Sequence, residues 1–227
     1  MHLFYAADFT ENDATYTLTE EESKHCVRVL RLKTGSQVSL LNGKGLSALA
    51  EITDDHPKKC TLGILKTEIH PPVAAEIHLA LAPTKNMDRM EWLVEKATEI
   101  GLNKLTFLKC DHNERSQLKL DRLEKIAIAA MKQSKRYFLP EISDLVPFQS
   151  FIQAFPKGYI GHCYPAEKTS LNVVSERKVF LIGPEGDFSE KEVELALKHG
   201  YQAVSLSDFR LRTETAALMA VMKLSLI

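Results

Sequence analysis

The chain lacks the short motifs on which the common nucleotide, metal and serine enzymes depend. Its 227 residues contain no GxxxxGK(S/T) phosphate loop, no GxGxxG turn and no HExxH pair. These absences exclude the common phosphate-binding loops for nucleotides and dinucleotides, and also the zinc-binding helix of metalloproteases. No GxSxG elbow is present, so acyl-transfer hydrolysis has no candidate nucleophile.

Long hydrophobic runs and paired cysteines are also missing. No apolar stretch approaches the ~20 residues of a membrane helix, and the N-terminus has no basic start of a secretory signal. The four cysteines, Cys26, Cys60, Cys110 and Cys163, form no CxxC pair. We therefore expect a cytoplasmic protein with reduced, isolated thiols and no membrane partner. The eight histidines have no ligand spacing, so no metal site is expected.

The charge is nearly balanced overall but uneven along the chain. The formal net charge is −1, which argues against a general nucleic-acid binder. Residues 24–33 nevertheless carry four basic residues and no acid, and residues 112–136 carry seven basic residues against three acids. These two segments are either solvated helix faces or the footprint of a polyanion.

The first ~70 residues are predicted to be mostly β-structure. Asn42-Gly43 predicts a tight hairpin, and Thr19 with Glu22 has the spacing of a helix capping box, from which a helix could continue through residues 23–30. The predicted strands are residues 3–6, 15–18, 37–41, 46–52 and 60–69. This pattern favours a compact small barrel.

A proline pair separates this part from a region in which predicted strands and helices alternate. Consecutive prolines stop helices and central strands, so Pro71-Pro72 is the best linker, and we divide the chain into domains of residues 1–72 and 73–227. Beyond the prolines, predicted strands alternate with predicted helices. The strands are residues 76–82, 105–108, 159–163, 179–182 and 203–206. The helices are residues 87–100, 118–134, 189–199 and 216–226. Such alternation predicts an α/β domain with a mainly parallel sheet. Met90 and Trp92 are expected in its core.

Two loops at strand ends are the candidate ligand sites. The turn from Gly183 to Gly186 permits close approach of a ligand to the backbone, although an ordinary strand-to-helix turn explains it equally well. Residues 210–215 precede the last predicted helix. Their arginines could hold an anion at the helix N-terminus, or Thr213 or Thr215 could simply cap the helix.

Several segments together resemble one family. They are HCVRVLRLKTGSQVSLLNGKG, KNMDRMEWLVEKATEIG, NERSQLKLDRLEKIAIAAMKQSKRYFLPEI, LIGPEGDFSEKE and LRTETAALMAV. In this order they span nearly the whole chain, and they are similar to the ribosomal RNA small-subunit methyltransferase E family of the SPOUT superfamily. The resemblance implies a SPOUT-type α/β domain with a trefoil knot, preceded by a small PUA-like RNA-binding β-barrel. It also implies a homodimer.

The same resemblance implies the chemistry. S-adenosylmethionine would donate a methyl group to N3 of one uridine in 16S rRNA, presented as free rRNA or as the 30S particle. The residues implied to bind the donor are Gly161, His162, Gly183, Pro184, Glu185, Gly186, Leu206, Leu211, Thr213 and Thr215. Two places depart from the family pattern. Asp187 stands where a second glycine is usual, and residues 207–210 read Ser-Asp-Phe-Arg instead of a Gly-Pro-Arg-Ile-like run.

Roles for individual residues follow from what methylation of uracil N3 requires. The imide proton must be removed, and negative charge on the flanking oxygens must be stabilised. Arg212 is the first candidate for the second task and Arg136 a weaker one. Glu214 and Glu185 are candidates either for the base or for holding an arginine or the donor's cation. Phosphate contacts are expected from Arg28, Arg31, Lys85, Arg89, Arg115 and Arg136.

Two other functions remain open on the sequence alone. A non-catalytic RNA-binding or ribosome-assembly factor would use the barrel without binding the donor. A methyltransferase of tRNA or of a 2′-hydroxyl, as in other SPOUT families, would use the same α/β domain on a different acceptor.

Overall fold

The computed structural model describes residues 1–73, 75–113, 117–171 and 178–226. The chain divides into two compact units, one of Met1–Pro72 with Met131–Leu139 and one of Val73–Ala130 with Pro140–Ile227. The first unit therefore contains a segment that lies well beyond the proline linker in sequence. Within the described ranges, no helix is long and apolar enough to cross a membrane.

The first unit is built on a five-stranded mixed sheet. Its strands are β1 (Leu3–Tyr5), β2 (Thr15–Thr17), β3 (Gln37–Leu41), β4 (Leu46–Asp54) and β5 (Thr61–Ile69), in the spatial order β1-β3-β4-β5-β2. Only the β1–β3 pair is parallel. All five predicted strands of this region are confirmed, with ends that differ by one or two residues.

Alternation along β4 explains the core of this unit. Leu46, Ala48, Ala50 and Ile52 are buried while the residues between them are half-buried, because successive side chains of a strand point to opposite faces. The buried face packs against side chains such as Phe4. All four cysteines are free thiols. Those of Cys26 and Cys60 are not isolated as predicted, since their Sγ atoms lie 3.9 Å apart in this core.

One helical segment lies between β2 and β3. Thr19 caps α1 (Glu20–Lys24), its Oγ1 accepting from the N–H of Glu22 at 3.3 Å, which confirms the predicted cap. Glu22 does not complete a capping box, because its carboxylate accepts from Lys132 Nζ at 2.5 Å. The helix continues as a π-helix over His25–Val29.

The predicted hairpin at Asn42-Gly43 is confirmed, since β3 and β4 pair antiparallel on either side of it. Four residues connect the strands, and Gly43 and Gly45 have φ of 72° and 93°. Asn42 shapes the turn with its side chain, whose Oδ1 accepts from the N–H groups of Lys44 and Leu46 at 2.8 and 3.1 Å. A Cβ at Gly45 would lie 2.6 Å from the Phe138 ring, so only glycine fits there.

The second unit is an α/β unit around a parallel sheet. Among the described residues the sheet has seven strands in the order β10-β12-β9-β11-β6-β7-β8, and every pair is parallel. The strands are β6 (Ile77–Leu81), β7 (Lys104–Lys109), β8 (Glu141–Pro147), β9 (Gly158–Gly161), β10 (Thr169–Ser170), β11 (Lys178–Ile182) and β12 (Tyr201–Ser205). The central strand β6 is buried at every position, as expected for a sheet covered on both faces.

Six α-helices are seen in the described part of the chain. Besides α1 they are α2 (Met87–Ile100), α3 (Leu120–Ser134), α4 (Phe148–Ala154), α5 (Glu190–Lys198) and α6 (Thr213–Ser225). The last turn of α3, from Met131, belongs to the first unit. The sequence patterns gave no indication of β8, α4 or β10. The predicted fold class, a mainly parallel α/β domain after a small β-domain, is confirmed.

Helix ends follow the sequence signals closely, with one correction. Ser189 and Glu192 form the predicted capping box at the start of α5. The last helix begins at Thr213, three residues before the predicted start, so neither Thr213 nor Thr215 is its N-cap. On α2, Met90 is fully buried as expected, but Trp92 is 43% exposed and is not a core residue.

Candidate functional site

A cavity of about 880 Å³ lies where the strands β9, β11 and β12 end. Carboxyl ends of parallel strands meet at one edge of a sheet, and the loops that leave them form a crevice there. The first loop contributes Gly161, and the second runs from Gly183 towards the start of α5. The lining residues are Arg89, Gly161, His162, Cys163, Lys168, Ile182, Gly183, Pro184, Glu185, Asp187, Val204, Ser205, Leu206, Ser207, Asp208, Phe209, Arg210, Leu211, Arg212, Thr213 and Ala216.

The turn after β11 is tightly folded. A Cβ on Gly183 would lie 3.0 Å from the backbone nitrogen of Phe188, so the turn needs glycine at this position. The N–H of Asp187 donates to the carbonyl of Pro184 at 2.9 Å, which closes the turn. Asp187 itself has φ of 68°, a left-handed conformation that costs a non-glycine residue roughly 1–2 kcal/mol.

The side chain of Asp187 joins two walls of the cavity. Its Oδ2 accepts from the N–H of Cys163, 2.6 Å away in the loop after β9, and its Oδ1 accepts from the N–H of Phe188 at 2.8 Å. The Asp187 carbonyl in addition accepts from Nδ1 of His112 at 3.0 Å. Two of the three loops are therefore held together by one carboxylate.

Glu185 connects the same turn to the loop after β6. Its Oε1 accepts from the backbone N–H of Lys85 at 3.2 Å. Both side chains are exposed, and that of Glu185 lines the cavity. The Glu185 carboxylate is thus an exposed acidic group of the cavity lining.

The loop between β12 and α6 is anchored by its own serines and by a lysine. Ser205 Oγ donates to the carbonyl of Ser207 at 3.1 Å, and Ser207 Oγ accepts from the N–H of Phe209 at 3.2 Å. Lys223 Nζ donates to the carbonyl of Leu206 at 3.0 Å. This fixed loop presents Phe209, which is 82% exposed, at the cavity.

The N-terminus of α6 is placed against the turn after β11. Arg212 is the N-cap residue by conformation, and its side chain makes no capping hydrogen bond. Instead its exposed guanidinium group belongs to the cavity lining. Thr213 is buried and its Oγ1 donates to the carbonyl of Gly183 at 3.4 Å. The third loop is thereby tied to the second.

Glu214 lies beneath the cavity with an arginine beside it. Its Oε1 is 3.6 Å from Nε of Arg89, and the residue is only 8% exposed. Its Oε2 is buried and has no hydrogen-bond partner among the described residues. Since the carboxylate faces Arg89, the geometry favours the holding of an arginine over the role of a base. Arg89, which is predicted to contact RNA, also lines this cavity.

His162 contributes an unpartnered imidazole. Neither ring nitrogen is bonded within the described part of the chain, and both are buried. Burial lowers the pKa of His162, Lys168 lowers it further, and Asp187 opposes the shift. The ring is therefore neutral at neutral pH, and both of its nitrogens are closed off from solvent.

Most of the residues predicted to bind the donor converge on the cavity. Those that line it are Gly161, His162, Gly183, Pro184, Glu185, Leu206, Leu211 and Thr213. Gly186 and Thr215 are not brought to it. Gly186 lies against His112, which a Cβ would approach to 3.3 Å, and Thr215 is exposed on α6.

The residues predicted to contact RNA are distributed over both units. In the first unit Arg28 and Arg31 are exposed, and Arg31 has φ of 56°. Arg136, in the same unit, is half-buried, and burial lowers the pKa of its guanidinium group. Lys85 is exposed in the second unit. Arg115 lies outside the described residues.

Sequence reasoning missed several cavity residues. Lys168 and Cys163 lie on the loop after β9, where no motif marks them, and only the strand end itself pointed to the place. Asp187 was noticed merely as a departure from a glycine pattern. Across the described ranges, no group of three or more His, Cys, Asp or Glu residues is arranged to hold a metal ion.

Comparison with known proteins gives similarity over the whole chain. A family model described as RNA methyltransferase domain matches residues 71–225, and one described as RNA methyltransferase PUA domain matches residues 18–65. The ribosomal RNA small subunit methyltransferase E of Bacillus subtilis (strain 168) is 26% identical, with 95% of this chain and 91% of that protein covered.

Two solved structures are similar in both fold and sequence. A probable rRNA-methyltransferase from Porphyromonas gingivalis is 37% identical with a TM-score of 0.90, and covers 99% of this chain and 97% of its own. A ribosomal RNA small subunit methyltransferase E from Neisseria gonorrhoeae, solved bound to S-adenosyl methionine, is 27% identical with a TM-score of 0.89. It covers 100% of this chain and 97% of its own.

Proposed function

The chain belongs to the RNA methyltransferase family, and from this premise we propose that it methylates N3 of a uridine in the 16S rRNA of the small ribosomal subunit with S-adenosylmethionine as donor. The observation that carries the proposal is the cavity at the three strand ends with the exposed Arg212 at its lining. Whole-length similarity to a relative solved with this donor supports the choice of ligand.

The residues of the cavity suit this donor. A cavity of about 880 Å³ lies within the range of roughly 300–1,000 Å³ for small-molecule sites, which combine apolar walls with a few polar groups. Leu206 and Leu211 supply apolar wall for the adenine. The polar side chains of Glu185 and Arg212 belong to the same lining.

When bound, the donor supplies an electrophilic methyl group next to a positively charged sulfur. The chain's own residues must then align the uracil, take up its N3 proton and stabilise the resulting negative charge on the flanking oxygens. We assign Arg212 to the stabilisation of this negative charge. The residue is exposed in the cavity lining, and its side chain makes no capping bond.

The two glutamates receive different roles in this proposal. Glu185 lines the cavity from an exposed position and is the candidate proton acceptor. Glu214 is buried against Arg89, so we assign it to the positioning of that arginine. A positioning role also explains why Glu214 is not itself part of the cavity lining.

RNA contacts are assigned to both units. Arg28 is exposed in the π-helix of the first unit and Arg31 is exposed just after it. The first unit contains the whole region matched by the PUA-domain model. In the second unit Lys85 follows β6 at the level of the turn that contains Glu185. We keep residues 1–72 as the RNA-binding domain and residues 73–227 as the catalytic domain of the proposal.

A homodimer is part of the proposal. Residues 216–222 of the helix α6 are all apolar over nearly two turns, and a helix segment that is apolar on all sides is normally buried. Yet Met222 is 48% exposed and Leu226 80% exposed, and Trp92 is exposed on α2, which packs against α6. A second copy of the chain on this face would bury these side chains. Analytical ultracentrifugation of the Met222→Lys variant tests this, with a monomer expected.

The proposal is tested by methyl transfer with product mapping. Donor labelled in its methyl group is incubated with 16S rRNA, with small subunits that lack the modification and with tRNA. Label on N3 of a 16S uridine supports the proposal. Label on tRNA or on a 2′-hydroxyl would indicate a different methyltransferase, and an absence of donor binding would indicate an assembly factor.

A further inference from the structure

The most exposed aromatic side chain of the second unit's described residues lies at the cavity. Phe209 is 82% exposed, although burial of a phenylalanine side chain is normally favourable. It lies in the loop between β12 and α6 and lines the same cavity as Arg212. A single exposed apolar side chain is common on a protein surface, and Phe209 is distinguished by its place in the lining of a ligand-sized cavity.

The exposure of Phe209 is built into the loop. The N–H of Phe209 donates to Ser207 Oγ at 3.2 Å, and the carbonyl of Ser207 accepts from Ser205 Oγ at 3.1 Å. Lys223 fixes the loop from α6 through the carbonyl of Leu206 at 3.0 Å. These bonds anchor the backbone on the N-terminal side of the ring, so little conformational entropy would be lost when a flat ligand packs on it.

The charges beside the ring favour a polyanionic occupant. Lys168, Arg210 and Arg212 line the same cavity, and none of them makes an ion pair with a carboxylate of the described residues. The acids of the same lining are Glu185, Asp187 and Asp208, and the first two already accept backbone hydrogen bonds. Cations of this kind bind phosphates, while an aromatic face binds an unstacked base. A single-stranded nucleic acid presents both groups along its chain.

We infer that Phe209 is a stacking platform for a nucleobase of the RNA substrate, either the target uracil or its immediate neighbour, at the mouth of the donor cavity. The inference rests on the proposed function, since it names how the RNA enters that site. Enzymes that modify a base must take it out of the stack, and an aromatic side chain then replaces the lost stacking partner. Arg210, next in the chain, contacts the adjacent phosphate.

Three variants separate stacking from mere hydrophobic bulk. Phe209→Trp keeps an aromatic face, Phe209→Leu keeps apolar volume without one, and Phe209→Ala keeps neither. The kcat/KM for undermethylated small subunits is measured together with the dissociation constant of the donor in the absence of RNA. We expect the Ala and Leu variants to lose about 5- to 140-fold in kcat/KM, which is about 1–3 kcal/mol at 1.4 kcal/mol per tenfold, and the Trp variant to retain activity.

Binding without turnover provides a second measurement. The anisotropy of a labelled 12-nucleotide oligouridine is compared with that of an abasic ribose-phosphate chain of equal length. The wild-type protein is expected to prefer the oligouridine, and Phe209→Ala to lose that preference while it binds the abasic chain unchanged. A preference that survives in Phe209→Ala would overturn the inference.

Two further results of these measurements would give Phe209 a different role. Weaker donor binding in Phe209→Ala, by the same factor as the loss in kcat/KM, would assign the ring to the donor. A change from dimer to monomer in that variant would assign it to a subunit contact. Either result overturns the inference. Failure of the proposed function appears separately, as wild-type protein that transfers no methyl group to small subunits.

Discussion

The carboxylate of Asp187 and the backbone N–H of Cys163 form a hydrogen bond of 2.6 Å between two loops of the cavity. With the second bond to the N–H of Phe188 at 2.8 Å, one side chain fixes both the end of β9 and the turn after β11. It does so from a left-handed backbone conformation that glycine would adopt without strain. Backbone conformation and side-chain hydrogen bonding therefore make opposite demands at this position.

This opposition gives the first prediction. Asp187→Gly relieves about 1 kcal/mol of backbone strain but removes two hydrogen bonds to a charged group, each worth about 1.5–3 kcal/mol. We expect the dissociation constant of the donor to rise at least about tenfold. The melting temperature should fall by several degrees, because the two lost bonds outweigh the relieved strain. Asp187→Asn, which keeps one acceptor, should fall between. Isothermal titration measures donor binding and thermal unfolding measures the melting temperature. Unchanged donor binding in both variants would show that the Asp187 carboxylate does not shape the donor site.

A second prediction concerns Arg89 and Glu214, whose Nε and Oε1 are 3.6 Å apart. If Glu214 positions Arg89, Glu214→Gln and Arg89→Ala should each lower kcat, and the double variant should be no worse than the more damaging single one, because one interaction is lost in all three. The shape of the pH–rate profile should be kept in Glu214→Gln. Loss of the acidic limb of that profile would instead identify Glu214 as the base.

Arg212 gives the third prediction. Its removal should lower kcat by about 10²–10³-fold, the usual cost of one donor to a developing anion, with donor binding nearly unchanged. Because its side chain makes no capping bond to α6, Arg212→Ala should fold normally, as circular dichroism would show. Arg212→Lys is the matched control and should recover part of the rate. An equal loss of donor affinity would place Arg212 on the donor.

The fourth prediction tests the RNA footprint of the first unit. Arg28→Ala and Arg31→Asn should each lower the slope of log K against log salt by about one unit, since each removes one phosphate contact. Asparagine is chosen at Arg31 because the φ of 56° there suits it better than alanine. Lys198→Ala, on an exposed face of α5, is the control and should leave the slope unchanged. Slopes that do not differ from wild type would remove both arginines from the footprint.

The fifth prediction is a pH dependence of stability. His78 is buried between Thr106, 2.8 Å from its Nε2, and the rings of Phe151 and Phe155. Burial lowers the pKa of His78 to about 4, with Lys104 contributing and Glu76 opposing. The unfolded chain therefore binds more protons as the pH falls below 6.5, and stability is lost on acidification.

The expected size of this loss is about 2 kcal/mol of unfolding free energy between pH 7 and pH 5, from the difference in pKa between the two states. Urea titrations at the two pH values measure it. His78→Gln keeps a polar partner for Thr106 and cannot titrate, so its loss over the same interval should be smaller by that amount. An equal loss in both proteins would assign the effect to other groups.

Sequence patterns predicted helices and strands well where the interactions that determine them join residues close in sequence. The capping box at Ser189 and the helix from Met87 to Ile100 with its Gly101 stop are within-segment patterns, and the structure confirms both. The helix α4 was missed because only seven residues form it, and its three buried side chains give too short a period to recognise. The strand β8 was missed because it is an edge strand without a fully buried side chain, and its burial does not alternate as it does along β4.

The site was predictable in outline but not in its contacts. Strand ends and the sequence resemblance led to the loops that line the cavity, since a parallel sheet gathers its carboxyl ends at one edge. The pairing of Arg89 with Glu214 joins residues 125 positions apart (214 − 89) and depends on how α2 packs against α6. The positive φ of Asp187 and the exposure of Trp92 likewise arise from tertiary packing, which no short motif encodes.

The most direct test of the account is to map the methyl group that the protein transfers. Small subunits lacking the modification are incubated with methyl-labelled S-adenosylmethionine and the protein, and the 16S rRNA is digested and analysed by mass spectrometry. The account predicts one methyl group per subunit, on N3 of a single uridine, and none with Arg212→Ala under the same conditions within the wild-type reaction time. A methyl group on a ribose 2′-hydroxyl, or no transfer by protein that binds the donor, would contradict it.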